Sequence, residues 1–132
     1  GTLLHNAIRA ALLLEQEGIQ AAVVDMHTVK PIDQNLILEC AEQTGAIVTA
    51  EEHSIYGGLG SAVAEVLAEH CPVPMERIGA VDFAESGDYG QLMEKYGYGP
   101  ESIAQRCRAV MRRKQDNGTG RLPERTRPFD MT

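Results

Sequence analysis

The chain has 132 residues, 43% of them hydrophobic, with no Trp, few aromatics and a formal net charge of −7. That length suits one domain, and its core must be aliphatic. No apolar run is long enough for a transmembrane helix, and an acidic body repels nucleic-acid phosphates. The charge is uneven: residues 1–105 hold 4 Lys/Arg against 16 Asp/Glu, whereas residues 106–132 hold 8 against 3. The basic end lacks aromatic interleaving apart from Phe129, so no nucleic-acid surface is expected there. No basic-then-apolar leader opens the sequence, and a cytoplasmic protein is the default expectation. Cys40, Cys71 and Cys107 are odd in number, far apart and form no CxxC pair. They read as reduced, packed thiols rather than as a metal or disulfide framework.

In chain order, Thr2 to Glu17 reads as a helix with Leu4, Ile8, Ala11 and Leu12 as its sheet-facing stripe and Gly18 as its C-cap. Gln20 to Met26 reads as a strand, since Ala22-Val23-Val24 is the short apolar run of a strand buried on both faces. His27 to Lys30 connects to Pro31. Asp33 is a good N-cap for a helix over Gln34 to Thr44, with Leu36, Ile37 and Cys40 apolar, and Gly45 ends it. Ala46 to Ala50 is a second strand, followed by the polar turn Glu51-Glu52-His53 and the glycine loop Ser54 to Gly60. A helix from Ser61 buries Val63, Val66 and Leu67 and stops before Pro72 and Pro74. Pro74 suits a strand start, so Met75 to Ala80 is a third strand with Ile78 inward. Val81 to Gly87 is a loop and Asp88 to Tyr96 a short helix. Pro100 opens the last helix, Glu101 to about Lys114, with Ile103, Cys107, Val110 and Met111 on one face.

The alternation of helices and strands predicts an α/β sandwich with a largely parallel sheet. The expected organisation is one domain over residues 1–114 and a tail over 115–132, either an arm on a partner or disordered. Three strands are few for such a fold.

Polar groups and glycines gather at the carboxyl end of the second strand, where open α/β sheets bind ligands. Gly58-Leu59-Gly60 begins a GxG, but Val63 stands at the third glycine position and the loop lies well beyond the strand, so a dinucleotide fingerprint is poor. The steric alternative is that glycine permits a sharp turn and a close backbone approach. Free N–H groups at Gly60 to Val63 offer an anion site. Glu51 and Glu52 point to opposite faces of an extended chain, while His53 shares the side of Glu51. One acid and one His permit a proton relay, yet hydrogen bonds or ion pairs that fix a turn or subunit contact are the commoner use. His5, His27 and His70 stand apart, and no Ser/His/Asp order or metal-ligand spacing emerges.

The stretch EEH followed by IYGGLGSAVAEVL is similar to the C-terminal domain of transketolases and their thiamine-diphosphate relatives. VVDMHTVKPID (Val23–Asp33), IGAVDFAESG (Ile78–Gly87) and YGYGPESIAQRCRAVM (Tyr96–Met111) resemble further segments of that family in the same order. The resemblance spans about residues 1 to 112. It implies a three-layer α/β/α domain with a five-stranded mixed sheet, and Gly1 matches the glycine that follows the family's central strand, so that strand is missing here. It further implies a role as C-terminal domain or split-subunit fragment of an enzyme that transfers two-carbon ketol units between sugar phosphates, as in the pentose phosphate pathway. Thiamine diphosphate and magnesium then belong to the diphosphate-binding and pyrimidine-binding domains, and this chain alone is expected to bind neither and to be inactive. The family's activating glutamate lies in the pyrimidine domain, so neither Glu51 nor Glu52 takes that part, and no residue here is assigned to catalysis. A homodimer or heterotetramer is expected, with Glu51, Glu52, His53, Tyr56, Gly57, Gly58 and Gly60 as interface or loop candidates.

The residues leave relatives open: deoxyxylulose-phosphate synthase, dihydroxyacetone synthase and the β subunit of 2-oxoacid dehydrogenases. A reading from another class, a stand-alone binding or regulatory module using the loop at 51–60, also stands.

Overall fold

Among the described residues two parallel strands form the spine, and helices cover both faces. The computed structural model describes residues 2–26, 31–54, 57–80 and 96–118. In chain order the elements are α1 (Thr2–Glu15), α2 (Gln34–Thr44), β1 (Ile47–Ser54), α3 (Leu59–His70), β2 (Met75–Ala80) and α4 (Pro100–Gly118). β1 and β2 pair in parallel, with Ile47 opposite Met75 and Ala50 opposite Ile78. Parallel neighbours need a long crossover, and α3 supplies it. The register slips between Ala50 and Ser54, so β1 is bulged where the polar turn was expected.

Strand alternation sends successive side chains to opposite faces, and two cores result. Val48, Ala50 and Ile78 pack with Ala10, Leu14, Ile103 and Ala104 of α1 and α4. Ile47 and Met75 pack with Ile37 and Ala41 of α2 and with Val63, Val66 and Leu67 of α3. This is the expected three-layer α/β/α arrangement, with a two-stranded sheet among the described residues.

The helix ends follow local chemistry. The Asp33 side chain accepts from the Leu36 N–H at 3.0 Å, as an N-cap should. Gly45 closes α2 at φ +72, the left-handed region that favours glycine, and its N–H donates to the Ala41 carbonyl. Lys114 of α4 donates to the Thr44 carbonyl at 2.7 Å, a cation at the negative end of α2.

Two expectations fail here, and they fail together. Gln20–Met26 joins no ladder among the described residues. Its Val23 and Val24 are 38% and 42% exposed. Ile19 at one end reaches the first core and Met26 at the other reaches the second, so the segment bridges two cores without a strand to pair with. α1 correspondingly turns a different face inward. Asn6, Ala10 and Leu14 are buried, while Ile8 and Leu12 of the expected stripe are 45% and 56% exposed. The physical reason is that α1 packs on α4 as well as on β1. Its small residues allow that close approach, and Asn6 donates to the Tyr98 carbonyl at 3.0 Å in the buried seam.

Bounds differ elsewhere only in detail. β1 runs on to Ser54, α3 starts at Leu59, and α4 continues to Gly118. The connector 27–30, the loop and helix read over 81–95, and residues 119–132 lie outside the described residues.

Arg106, Arg108, Arg113 and Lys114 of α4 are engaged with its neighbours. Arg106 and Arg113 both pair with Glu76 of β2. Arg108 bridges Glu101 and Glu17, with both Glu17 oxygens accepting. The hydrogen bonds from Arg108 hold the Glu17 carboxyl below its ordinary range. Because the folded carboxyl binds its proton less tightly than the unfolded one, this pair's contribution is complete above the ordinary Glu value. It fades as pH falls through the lowered folded one. The pair is exposed, so the effect is small. Melting temperatures of Glu17→Gln and the parent protein should differ slightly at neutral pH and converge in acid; a gap that widens in acid would contradict this.

The three cysteines are free and half-buried. Burial pushes the Cys107 thiol up, against its reactivity as a thiolate.

Candidate functional site

The carboxyl ends of β1 and β2 meet the amino end of α3, and this is where the sequence-predicted residues fall. α3 has no side-chain cap of its own, because its N-cap is Gly58. Glu51 fills that role from β1. It is 6% exposed. Its two oxygens accept from the Leu59 N–H at 3.0 Å and the Gly60 N–H at 2.7 Å. Those groups are among the orphan donors of any helix start, and the partial positive charge there favours a carboxylate.

The expected free N–H groups at the start of α3 are therefore partly taken. The Gly60 N–H donates to Glu51, and the Ala62 N–H donates to the Gly58 carbonyl. Gly60 is required by close approach. A Cβ at this position would lie 2.8 Å from Arg77 Nε, 3.0 Å from Thr49 Oγ1 and 3.1 Å from Glu51 Oε2. Gly57 adopts φ +77, the left-handed region, and its N–H donates to Ser61 Oγ at 3.0 Å. Arg77 Nη2 donates to the same oxygen at 3.0 Å.

The structure thus brings Glu51, Gly57, Gly58 and Gly60 together. Glu52 points out to the exposed side, as alternation requires. The side chain of His53 and the whole of Tyr56 lie outside the described residues. Sequence reasoning missed Thr49, Ser61 and Arg77. Thr49 is two residues before Glu51 and so shares its face, and Arg77 lies opposite Thr49 in the register. Thr49 Oγ1 is buried with no hydrogen-bond partner among the described residues. Chemically the cluster is a carboxylate held by backbone donors beside a guanidinium, which suits positioning of the loop. Among the described residues no group of three His, Cys, Asp or Glu gathers to hold a metal ion, and no helix is long and apolar enough to cross a membrane.

Residues 1–103 match the family model described as the transketolase C-terminal domain. The chain belongs to the transketolase C-terminal domain family. This transketolase C-terminal domain is 46% identical over 115 residues to the 6-deoxy-6-sulfo-D-fructose transketolase subunit of Clostridium sp. (strain MSTE9), covering 86% of this chain and 36% of that one. It is 37% identical over 129 residues to the 1-deoxy-D-xylulose-5-phosphate synthase of Symbiobacterium thermophilum, covering 96% of this chain and 20% of that one. Among solved structures it superposes on a split gene transketolase in an inactive beta4 tetramer with a TM-score of 0.82. The identity is 46%, over 86% of this chain and 38% of that one. The domain therefore spans between a fifth and two fifths of the length of these relatives.

Proposed function

We propose that this domain is the C-terminal section of a transketolase-type enzyme that moves two-carbon ketol units between sugar phosphates, and that it works by holding the assembly together. The observation that carries the reading is its match to about a third of a transketolase subunit, with an α/β/α fold like that of a split transketolase. Thiamine diphosphate and magnesium belong, in this reading, to the diphosphate-binding and pyrimidine-binding section of the enzyme. The described residues fit that cofactor poorly. A diphosphate at the amino end of α3 would have to displace the Glu51 carboxylate, which already holds the Leu59 and Gly60 N–H groups. No chemical step is assigned to this chain.

The contact surface in this reading is the loop that joins β1 to α3. Its sequence places Ile55, Tyr56 and Leu59 among glycines, and an apolar cluster of that kind suits a partner. A homodimer or a heterotetramer with the cofactor-binding section is the expected assembly. The match to 1-deoxy-D-xylulose-5-phosphate synthase supports a second reading, in which the same domain serves that enzyme.

Mixing the chain with the remaining section of the enzyme, thiamine diphosphate and magnesium should produce ketol transfer that neither part gives alone. Tyr56→Ala should weaken association with that section and leave the melting temperature of the chain little changed. Ketol transfer by the chain by itself would overturn the functional reading, and unaltered association of Tyr56→Ala would overturn the placement of the loop.

A further inference from the structure

We infer that Glu51 is a built-in anionic ligand for the amino end of α3, and that by occupying that site it ties β1 to the start of the helix. A helix of 12 residues with a glycine N-cap and no acidic residue in its first turn lacks any local answer to its orphan N–H groups. Glu51 supplies the answer from across a long turn, making contacts to residues eight and nine positions ahead. The buried surroundings match an anion site rather than a surface cap. Thr49 Oγ1 is buried, has no hydrogen-bond partner among the described residues and lies against Gly60. Arg77 Nε flanks the same glycine. Two backbone N–H groups thus donate to one carboxylate, and a hydroxyl and a guanidinium lie against the same glycine. Backbone N–H groups of this kind are the donors with which α/β proteins take phosphates and carboxylates at a helix start. Here the anion is attached to β1.

The attachment has a conformational consequence. Both oxygens of one side chain hold two successive N–H groups, so β1 and α3 are locked at the base of the loop. The second half of the inference rests on the proposed role of that loop as a contact surface. With the base locked, Leu59 at the start of α3 is held in place for the partner. Glu51 acts here as a positioning residue.

The test is chemical rescue in the full chain. Glu51→Ala removes the anion but leaves its cradle, so a small free carboxylate can take its place. The melting temperature should fall by roughly 5–10 °C. Sodium formate or acetate should then restore at least half of that loss, whereas sodium chloride at the same ionic strength should not. Glu51→Gln fills the cradle with an amide and should be lowered but not rescued. Equal responses to formate and chloride, or equal rescue of all three proteins, would overturn the inference. Should Glu51→Ala fail to fold, the amide proton shifts of Leu59 and Gly60 in Glu51→Gln decide: a selective upfield move supports the lock and no change contradicts it. The loop is tested separately against the remaining section of the enzyme. If Tyr56→Ala weakens association and Glu51→Gln does too, both readings stand. If only Tyr56→Ala does, the contact surface survives and the positioning role falls. If Tyr56→Ala has no effect, the contact surface falls, and the rescue experiment alone judges Glu51 as ligand.

Discussion

A β-strand supplied beside β1 is expected to raise the stability of this chain by several kcal/mol. β1 pairs with β2 on one side, and no described residue pairs with its other edge. Gln20–Met26, apolar enough to read as a buried strand, joins no sheet and leaves Val23 and Val24 substantially exposed. A strand seated between β1 and Gln20–Met26 gives both a partner and covers apolar side chains. Full burial of each such side chain stabilises by about 1.5–3 kcal/mol. Even a fraction of that for Val23 and Val24, with the backbone hydrogen bonds that β1 gains, is a large share of the roughly 5–15 kcal/mol that holds a domain together. The comparison is between the 132-residue chain and the same chain extended at its amino end by a strand. The extended protein should unfold at a clearly higher denaturant midpoint and with a steeper dependence, since it exposes more surface on unfolding. Equal midpoints would mean that β1 gains nothing from a further neighbour.

The second large effect lies inside α1. Leu14→Ala should destabilise the chain by about 2–5 kcal/mol, the usual range for emptying a packed leucine site. Leu14 is 1% exposed and sits with Ala10, Ile103 and Ala104 between α1 and α4. Leu12→Ala, two residues away at 56% exposure, should cost well under 1 kcal/mol in the same chain. Thermal or urea melts of the pair read the orientation of the helix directly. A costly Leu12→Ala with a mild Leu14→Ala would mean that α1 turns its other stripe inward.

That pair of leucines also shows where the sequence was legible. α2, with Asp33 before it and Gly45 after it, has the bounds its caps predict, because capping is a local event. β2 begins directly after Pro74 and buries Ile78 as expected. α1 was legible as a helix, but two apolar stripes run along it. Leu4, Ile8, Ala11 and Leu12 form one, and Leu3, Ala7, Ala10 and Leu14 the other, at equally good spacing. Periodicity alone does not choose between them; the packing partner does, and α4 lies nearly a hundred residues away. Gln20–Met26 has strand composition, yet a strand exists only with a neighbour to bond, and none of the described residues fills that place. At the site, alternation along β1 put Glu51 and Glu52 on opposite faces. What stayed hidden was that the inward face points at a helix start. Arg77 was hidden as well, because its place beside Thr49 depends on the register of two strands distant in sequence.

The central claim is that this domain serves an assembly whose cofactor is held elsewhere, and titration calorimetry with thiamine diphosphate and magnesium tests it most directly. Injected into the 132-residue chain alone, the cofactor should give no binding heat beyond dilution. Injected into the chain combined with the remaining section of the enzyme, it should give saturable binding, and ketol transfer should appear in the same mixture. Micromolar binding to the chain alone would contradict the account.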